Sequence, residues 1–413
     1  MAANANTPGA NLPDPRPKPS RVKEAAEKAQ APAPPPSSKP LQVFLLIALV
    51  ITGAAYVVDE WTEMTTEETM AKHPNKLRRM VAAQEEFLTQ TELGRQSEAQ
   101  NKFTEAVLHY RRALLAQDLA EGHLSLGNVL LKEGNPDMAF SQFKDALRIN
   151  PDLVDVYVAW GHALMQQGKI DEVVQLYQDA LRQNPKLATV HYLFAKALEQ
   201  QRQTALAAQH AAELANDPPA AAKNAAEAQL YGSDAVKHYE AAEKLAMNTP
   251  EFWFNYGTLL NQQGKYPEAE ERLVRAVVQE PGMGGAQFQM ALAQDRQGKY
   301  GDAIGHYEAT LVAMPDDPAT LNNLALLYAT ANNPEVRSSK MAVLLAIRAC
   351  DATSNQNARY LDTLARAYAA DGDFLQAIDC EGKAIHRATQ LGDHELLREF
   401  QPRFNLFVQH KKE

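Results

Sequence analysis

The chain has 413 residues and a formal net charge of −10, with 45% hydrophobic and only 7% aromatic residues. Alanine, leucine, glutamine and glutamate dominate, a composition that suits helices and lacks the β-branched runs of strands, so an all-α fold is expected and a sheet-rich one excluded. Six Lys/Arg against three Asp/Glu make the first forty residues +3 and leave −13 for the rest, a surplus that repels phosphate backbones and argues against a nucleic-acid partner.

Residues 1–40 are rich in Pro and Ala, with Pro32, Pro34, Pro35 and Pro36 close together. Such a segment cannot bury enough surface to fold, and a disordered, partly extended basic arm is expected. Residues 41–58 follow without a single charge. At ~1.5 Å per residue they cover about 27 Å, near the hydrocarbon thickness of a bilayer, which makes them a candidate transmembrane helix with the lipid bilayer as partner. The small residues Gly53-Ala54-Ala55 allow a cleavable signal peptide instead, although a signal peptide has a shorter leader and a shorter apolar run. Lys and Arg are richer before the stretch than in residues 59–70. The arm is therefore placed in the cytoplasm and everything after the stretch across the membrane, in the periplasm of a bacterial inner membrane. Residues 59–85 read as a charged helical spacer, led by Asp59, Glu60, Glu63, Glu67 and Glu68.

From about residue 85 onward the chain repeats itself every ~34 residues, the period of stacked helical hairpins. Three copies carry the pattern: Gly127, Gly134, Ala139, Phe143, Ala146, Pro151; Gly161, Gly168, Val173, Tyr177, Ala180, Pro185; and Gly257, Gly264, Ala269, Leu273, Ala276, Pro281. In each, a pair of small or slim residues lets two helices approach closely, an aromatic or Leu plugs the gap, and Pro closes the unit. These residues and spacings resemble the tetratricopeptide repeat family. The resemblance implies a right-handed superhelix, an α-solenoid of helix pairs, and protein or peptide partners.

Eight pairs are read over residues 86–390. The first holds Gly94, Ala106, Tyr110 and Ala113, and the second, third and fifth are those just quoted. The fourth places Tyr192 and Ala195 on one helix and Ala235, Tyr239 and Ala242 on the other, with about 28 extra residues at 201–230, broken by Asp217-Pro218-Pro219. Either both helices lengthen there or a small helical excursion protrudes. The sixth runs through Ala291, Gly298, Ala303, Tyr307 and Pro315; the seventh, with a longer turn at Asn332-Asn333-Pro334, through Ala325, Ala342, Ala346 and Ala349; the eighth through Ala365, Gly372, Ala377 and Ala384. Residues 391–413 carry apolar residues at helical spacing, broken by Pro402, and read as the capping helix and tail that a solenoid's last unit needs. Cys350 and Cys380 read as small buried residues on neighbouring second helices rather than as a disulfide.

No catalytic constellation emerges. Gly168-Lys169, Gly264-Lys265 and Gly298-Lys299 lack the Ser/Thr and the preceding strand of a phosphate loop, and read as turns in which Gly takes a left-handed conformation. The run from Gly122 to Gly127 misses the nucleophile-elbow spacing, and His394-Glu395 has no second His four residues after the first, so neither a catalytic residue nor a metal is assigned. Glu270 and Glu271 point to different helix faces and are expected to be solvated. No cofactor and no small-molecule substrate are expected, and an enzyme would need a further domain beyond the repeats.

What remains is recognition. In the family that the repeats resemble, first helices line the concave surface. Aligning the copies places Leu124, Val158, Tyr192, Phe254 and Phe288 in one row, with Asn128, His162, Lys196 and Thr258 one turn on. Aromatics in such a groove can anchor a peptide, or they can pack against the neighbouring pair. Asn128 and Lys196 resemble parts of a carboxylate-gripping subsite but stand in non-adjacent units, so a mixed apolar and polar partner segment is expected. The function expected is a single-span membrane-anchored scaffold or adaptor, assisting assembly of an envelope complex. The alternatives are a constitutive subunit of a large membrane assembly and a protein similar to an organelle outer-membrane import receptor.

Overall fold

The computed structural model describes residues 74–411, so the arm of 1–40, the apolar stretch of 41–58 and most of the spacer lie outside the described residues. The chain divides into two compact units, Met1–Met80 and Val81–Glu413, and the repeats occupy the second. The described residues form 17 helices and no strand. Among them no helix is long and apolar enough to cross a membrane.

Sixteen helices pair in chain order: α1 (Pro74–Ala99) with α2 (Phe103–Ala116), α3 (Ala120–Glu133) with α4 (Pro136–Ile149), α5 (Val154–Gln166) with α6 (Ile170–Gln183), and α7 (Ala188–Leu214) with α8 (Pro218–Lys244). Then come α9 (Pro250–Gln262) with α10 (Tyr266–Gln279), α11 (Gly284–Arg296) with α12 (Tyr300–Ala313), α13 (Pro318–Thr330) with α14 (Ser339–Ala352), and α15 (Ala358–Asp371) with α16 (Phe374–Leu391). A last helix, α17 (His394–Val408), packs on α16.

Local chemistry sets the breaks. Pro in the first turn opens α4, α8, α9 and α13, where a missing N–H costs nothing, and Asp217, Thr249 and Asp317 accept from backbone amides as N-caps. Between paired helices the chain turns on Gly134, Gly168, Gly264, Gly298 and Gly372, with φ from +72 to +90°, where any side chain would be strained. The Gly-Lys sequences are therefore turns.

Packing within a pair follows one register. A small residue on the first helix faces the residue sixteen positions later on the second: Gly94 faces Tyr110, Gly127 faces Phe143, Gly161 faces Tyr177 and Gly257 faces Leu273. A Cβ at Gly127 would stand 2.4 Å from the Phe143 ring, and one at Gly161 1.8 Å from the Tyr177 Oη. The plugging side chains Phe143, Leu273, Tyr239 and Tyr307 are all fully buried. Each contributes roughly 2–3 kcal/mol of burial. Tyrosine plugs bring a hydroxyl that needs a partner, and in the first and fourth pairs a carboxylate four residues after the small residue supplies it. Tyr110 donates to Glu98 at 2.5 Å, and Tyr239 donates to Glu199.

First helices of successive pairs touch one another (α3 and α5, α5 and α7, α9 and α11, α13 and α15), whereas no two second helices do so to a comparable extent. Closer spacing on one side curves the stack toward that side, so the first helices form the concave face.

Residues 201–230 lengthen both helices of the fourth pair, to 27 residues each, instead of forming a separate excursion. Ala205, Ala212 and Ala228 are buried between the two arms. At the base, His191 Nδ1 lies 2.9 Å from His238 Nδ1, while His191 Nε2 lies 3.1 Å from the Pro185 carbonyl. One neutral tautomer set satisfies both contacts: His191 donates from Nε2 and accepts at Nδ1 from His238.

Three expectations need correction. The boundary at residue 85 falls inside α1, because nothing between Asn75 and Leu93 breaks a helix. Pro402 does not break α17: it lies exposed on the outer side, while Leu396, Phe400 and Phe407 bury the opposite face and hold the helix through one missing hydrogen bond. Glu270 is only partly solvated: it is half-buried and accepts from Lys299 Nζ at 2.6 Å and from Gln297 Nε2 at 2.8 Å.

The eighth pair departs from the register in chemistry. Sixteen residues after Ala365 stands Glu381, fully buried where other pairs carry Phe, Tyr or Leu. Arg403 of α17 pairs with Asp362 of α15 and lies 3.8 Å from Glu381. Burial first, and then the neighbouring Asp362, push the Glu381 carboxyl up to about 9. Its protonated form is favoured, and Arg403 pairs with Asp362. Cys350 and Cys380, on α14 and α16, are buried free thiols, pushed up to about 12 and about 11 chiefly by burial.

Candidate functional site: a groove along the first helices

The concave face carries two adjoining depressions. One of about 580 Å³ is lined by Arg95, Glu98, Asn128, Lys132 and His162 among others. The next, of about 200 Å³, takes in His162 and Gln166 again and continues over Tyr177, Leu193 and Lys196. Asn128, His162 and Lys196, expected one turn beyond the aromatic row, are therefore brought together along one groove spanning α3, α5 and α7. Counting one position past each small residue explains why: Arg95, Asn128, His162 and Lys196 follow Gly94, Gly127, Gly161 and Ala195, and equal register in stacked pairs puts them in line.

The row expected to anchor a partner behaves differently. Leu124, Val158, Tyr192, Phe254 and Phe288 are all half-buried and packed on the hydrophobic core, outside both depressions. Tyr192 lies edge-on to Phe252 at 5.7 Å, and its hydroxyl accepts from Asn255 at 2.7 Å, so it joins the fourth pair to the fifth. Phe254 covers Gly285 of the sixth pair, where a Cβ would stand 3.3 Å from its ring, and Phe288 lies 6.1 Å from Tyr307. Thr258 is half-buried, with its hydroxyl enclosed and lining neither depression. Tyr192 and Phe254 pack against the next pair, and Phe288 within its own.

Arg95, Glu98 and Lys132 were not singled out by the sequence reading, yet they form the groove's charged end. Lys132 Nζ donates to Glu98 Oε2 at 2.6 Å, and Glu98 holds the Tyr110 hydroxyl with its other oxygen. The carboxylate is thereby engaged on both sides, while the Arg95 side chain remains 69% exposed. At the far end, the Lys196 ammonium lies 5.6 Å from the Tyr192 ring centre and is exposed. Below it, burial raises Glu199 to about 7 against the pull of the Tyr239 hydroxyl, Arg202 and Lys196. The groove thus offers Arg95, His162 and Lys196 to carboxylates, and Asn128 to backbone amides. Among the described residues no cluster of three or more His, Cys, Asp or Glu converges as a metal site would require.

Stacked helix hairpins with a first-helix groove define an α-solenoid. Tetratricopeptide repeat models match residues 130–196 and residues 91–153, 220–285 and 288–336, together more than half of the chain. The protein belongs to the tetratricopeptide repeat family. No curated protein matches its sequence. Similar solved structures include pilF of Pseudomonas aeruginosa (15% identity, 59% of this chain and 99% of that one, TM-score 0.44). They also include the C-terminal part of a TPR repeat-containing protein from Cytophaga hutchinsonii (14%, 67% and 99%, 0.44). A third is YrrB, described as a TPR protein with an unusual peptide-binding site (16%, 52% and 96%, 0.39).

Proposed function

We propose that this protein is a membrane-anchored scaffold that holds a partner polypeptide in the groove of its first four helix pairs. Residues 41–58 would supply a single span, with the arm cytoplasmic and the repeats periplasmic, and the complex assembled would be one of the envelope. The observation that carries the binding reading is the line of Arg95, Asn128, His162 and Lys196 along one groove whose only lining carboxylate is already engaged by Lys132 and Tyr110. Donors on a concave, preformed surface, Arg95 also lying 3.8 Å from Glu92, favour an extended segment bearing carboxylates and main-chain acceptors.

A photo-crosslinker at position 162 of the full chain, expressed in its own membranes, tests this. A discrete crosslinked partner is expected, and Arg95→Glu with Lys196→Glu should abolish it. Crosslinks unchanged by the double reversal would refute the groove. Alkaline extraction of the membranes tests the span, which predicts that the chain stays in the pellet.

A further inference from the structure

On the outward side of α2 four residues share one helical face: Leu108, Arg111, Arg112 and Leu115. The leucines are 52% and 87% exposed, and both arginines are exposed. Among the described residues neither arginine makes an ion pair or a hydrogen bond, in a protein whose net charge is −10. The nearby Glu105 lies 3.7 Å from Lys102 and leaves the face with an excess of two positive charges.

The other pairs show that this is not a property of second helices. On other second helices Arg148 lies beside Asp118 and Asp145, Arg182 beside Asp179, and Arg275, which matches Arg112 in register, beside Glu243 and Glu271. Each of these three arginines is thus neutralised by its own chain. Only the first pair leaves two together, bracketed by leucines that no helix covers.

We infer that this face of α2 docks on the headgroup region of an anionic bilayer, the arginines meeting lipid phosphates and Leu108 and Leu115 entering the acyl boundary. A convex single-helix face has no cavity to receive a partner's side chains, whereas a shallow insertion of leucine beside arginine needs none. Basic residues near such a surface are each attracted by its negative potential. The choice of a lipid partner rests on the anchored reading, since this pair is the first that the chain builds after residues 41–58.

The test uses the full chain carrying Leu115→Cys labelled with bimane, with vesicles of phosphatidylcholine alone or with phosphatidylglycerol, each containing doxyl lipid as quencher. Cys350 and Cys380 are buried and leave the new thiol the accessible one. Quenching is expected in the anionic vesicles and not in the neutral ones, falling several-fold in Arg111→Glu/Arg112→Glu or at high salt. Flotation of the same samples reports the anchor separately. Flotation on both vesicle types without quenching overturns the docking face alone, whereas flotation on neither overturns the anchor and the face together. Flotation on anionic vesicles only, lost in the double variant, supports the face and refutes the span.

Discussion

The second and eighth helix pairs present the same slot to their own second helix and fill it with opposite chemistry. In the second pair Gly127 opens the slot and the fully buried Phe143 fills it, stacking toward Trp160 of the next pair with ring centres 6.2 Å apart. In the eighth, Glu381 takes the position of Phe143, beside Arg366 of α15, and Arg403 arrives from α17 to complete the slot. An aromatic plug is sufficient in itself because burial alone stabilises it. A carboxyl plug depends on keeping its proton and on a cation from another helix. The comparison teaches that interior pairs are closed units, while the last pair is built to require its cap.

The sharpest way to break the contrast is to empty both slots. Phe143→Ala should cost about 4 kcal/mol in urea melts, as large-to-small changes in cores do, and should loosen the second and third pairs in hydrogen exchange. Arg403→Ala should cost about 3 kcal/mol by removing the cation that pairs with the buried Asp362, with exchange rising in α15 to α17 and not in α4. Protection lost evenly along the chain would deny that the cap is specific to the eighth pair. Gly161→Ala should cost about 2 kcal/mol through overpacking against Tyr177, and less when combined with Tyr177→Phe, which removes the nearest atom.

Proton occupancy gives a smaller and more discriminating effect. The Glu381 carboxyl is raised from 4.5 to about 9, so the stability it contributes is complete below the lower value and drains away as the pH climbs to the upper one. Melting of the C-terminal pairs should therefore fall from about pH 5 to about pH 9. Glu381→Gln should change stability little at pH 5 and flatten that slope. An unaltered slope in the variant would place the proton elsewhere. Tyr239→Phe, which removes one hydroxyl donated to Glu199, should cost about 1 kcal/mol and move the Glu199 titration upward from about 7, visible in the carboxyl carbon shift.

How far such differences can be read from residues alone depends on where the partner lies. The slots are legible because in six of the eight pairs Gly or Ala and the residue that fills the slot are separated by sixteen residues, and the turns because Gly falls between periodic helices. Asn128, His162 and Lys196 were found through that same count. Arg95 obeyed it too, but α1 opens the array without a preceding copy to align it against. Glu381 looks like any helix carboxylate, since the Arg403 that accompanies it lies beyond a turn and on another helix. Tyr192 and Phe254 look like groove aromatics, and only the rotation of the next pair, which no local pattern encodes, shows that Asn255 and Gly285 occupy their outward sides.

The lengthened hairpin of α7 and α8 has a bearing on how the chain acquires its shape. It is the one pair in which both helices reach 27 residues, beyond the ~15 at which a helix begins to persist unaided. A three-residue turn joins them, so their mutual contacts are gained at little cost in loop entropy. In an array where each unit rests on its neighbours, such a hairpin is the natural nucleus, from which order spreads toward both termini during refolding.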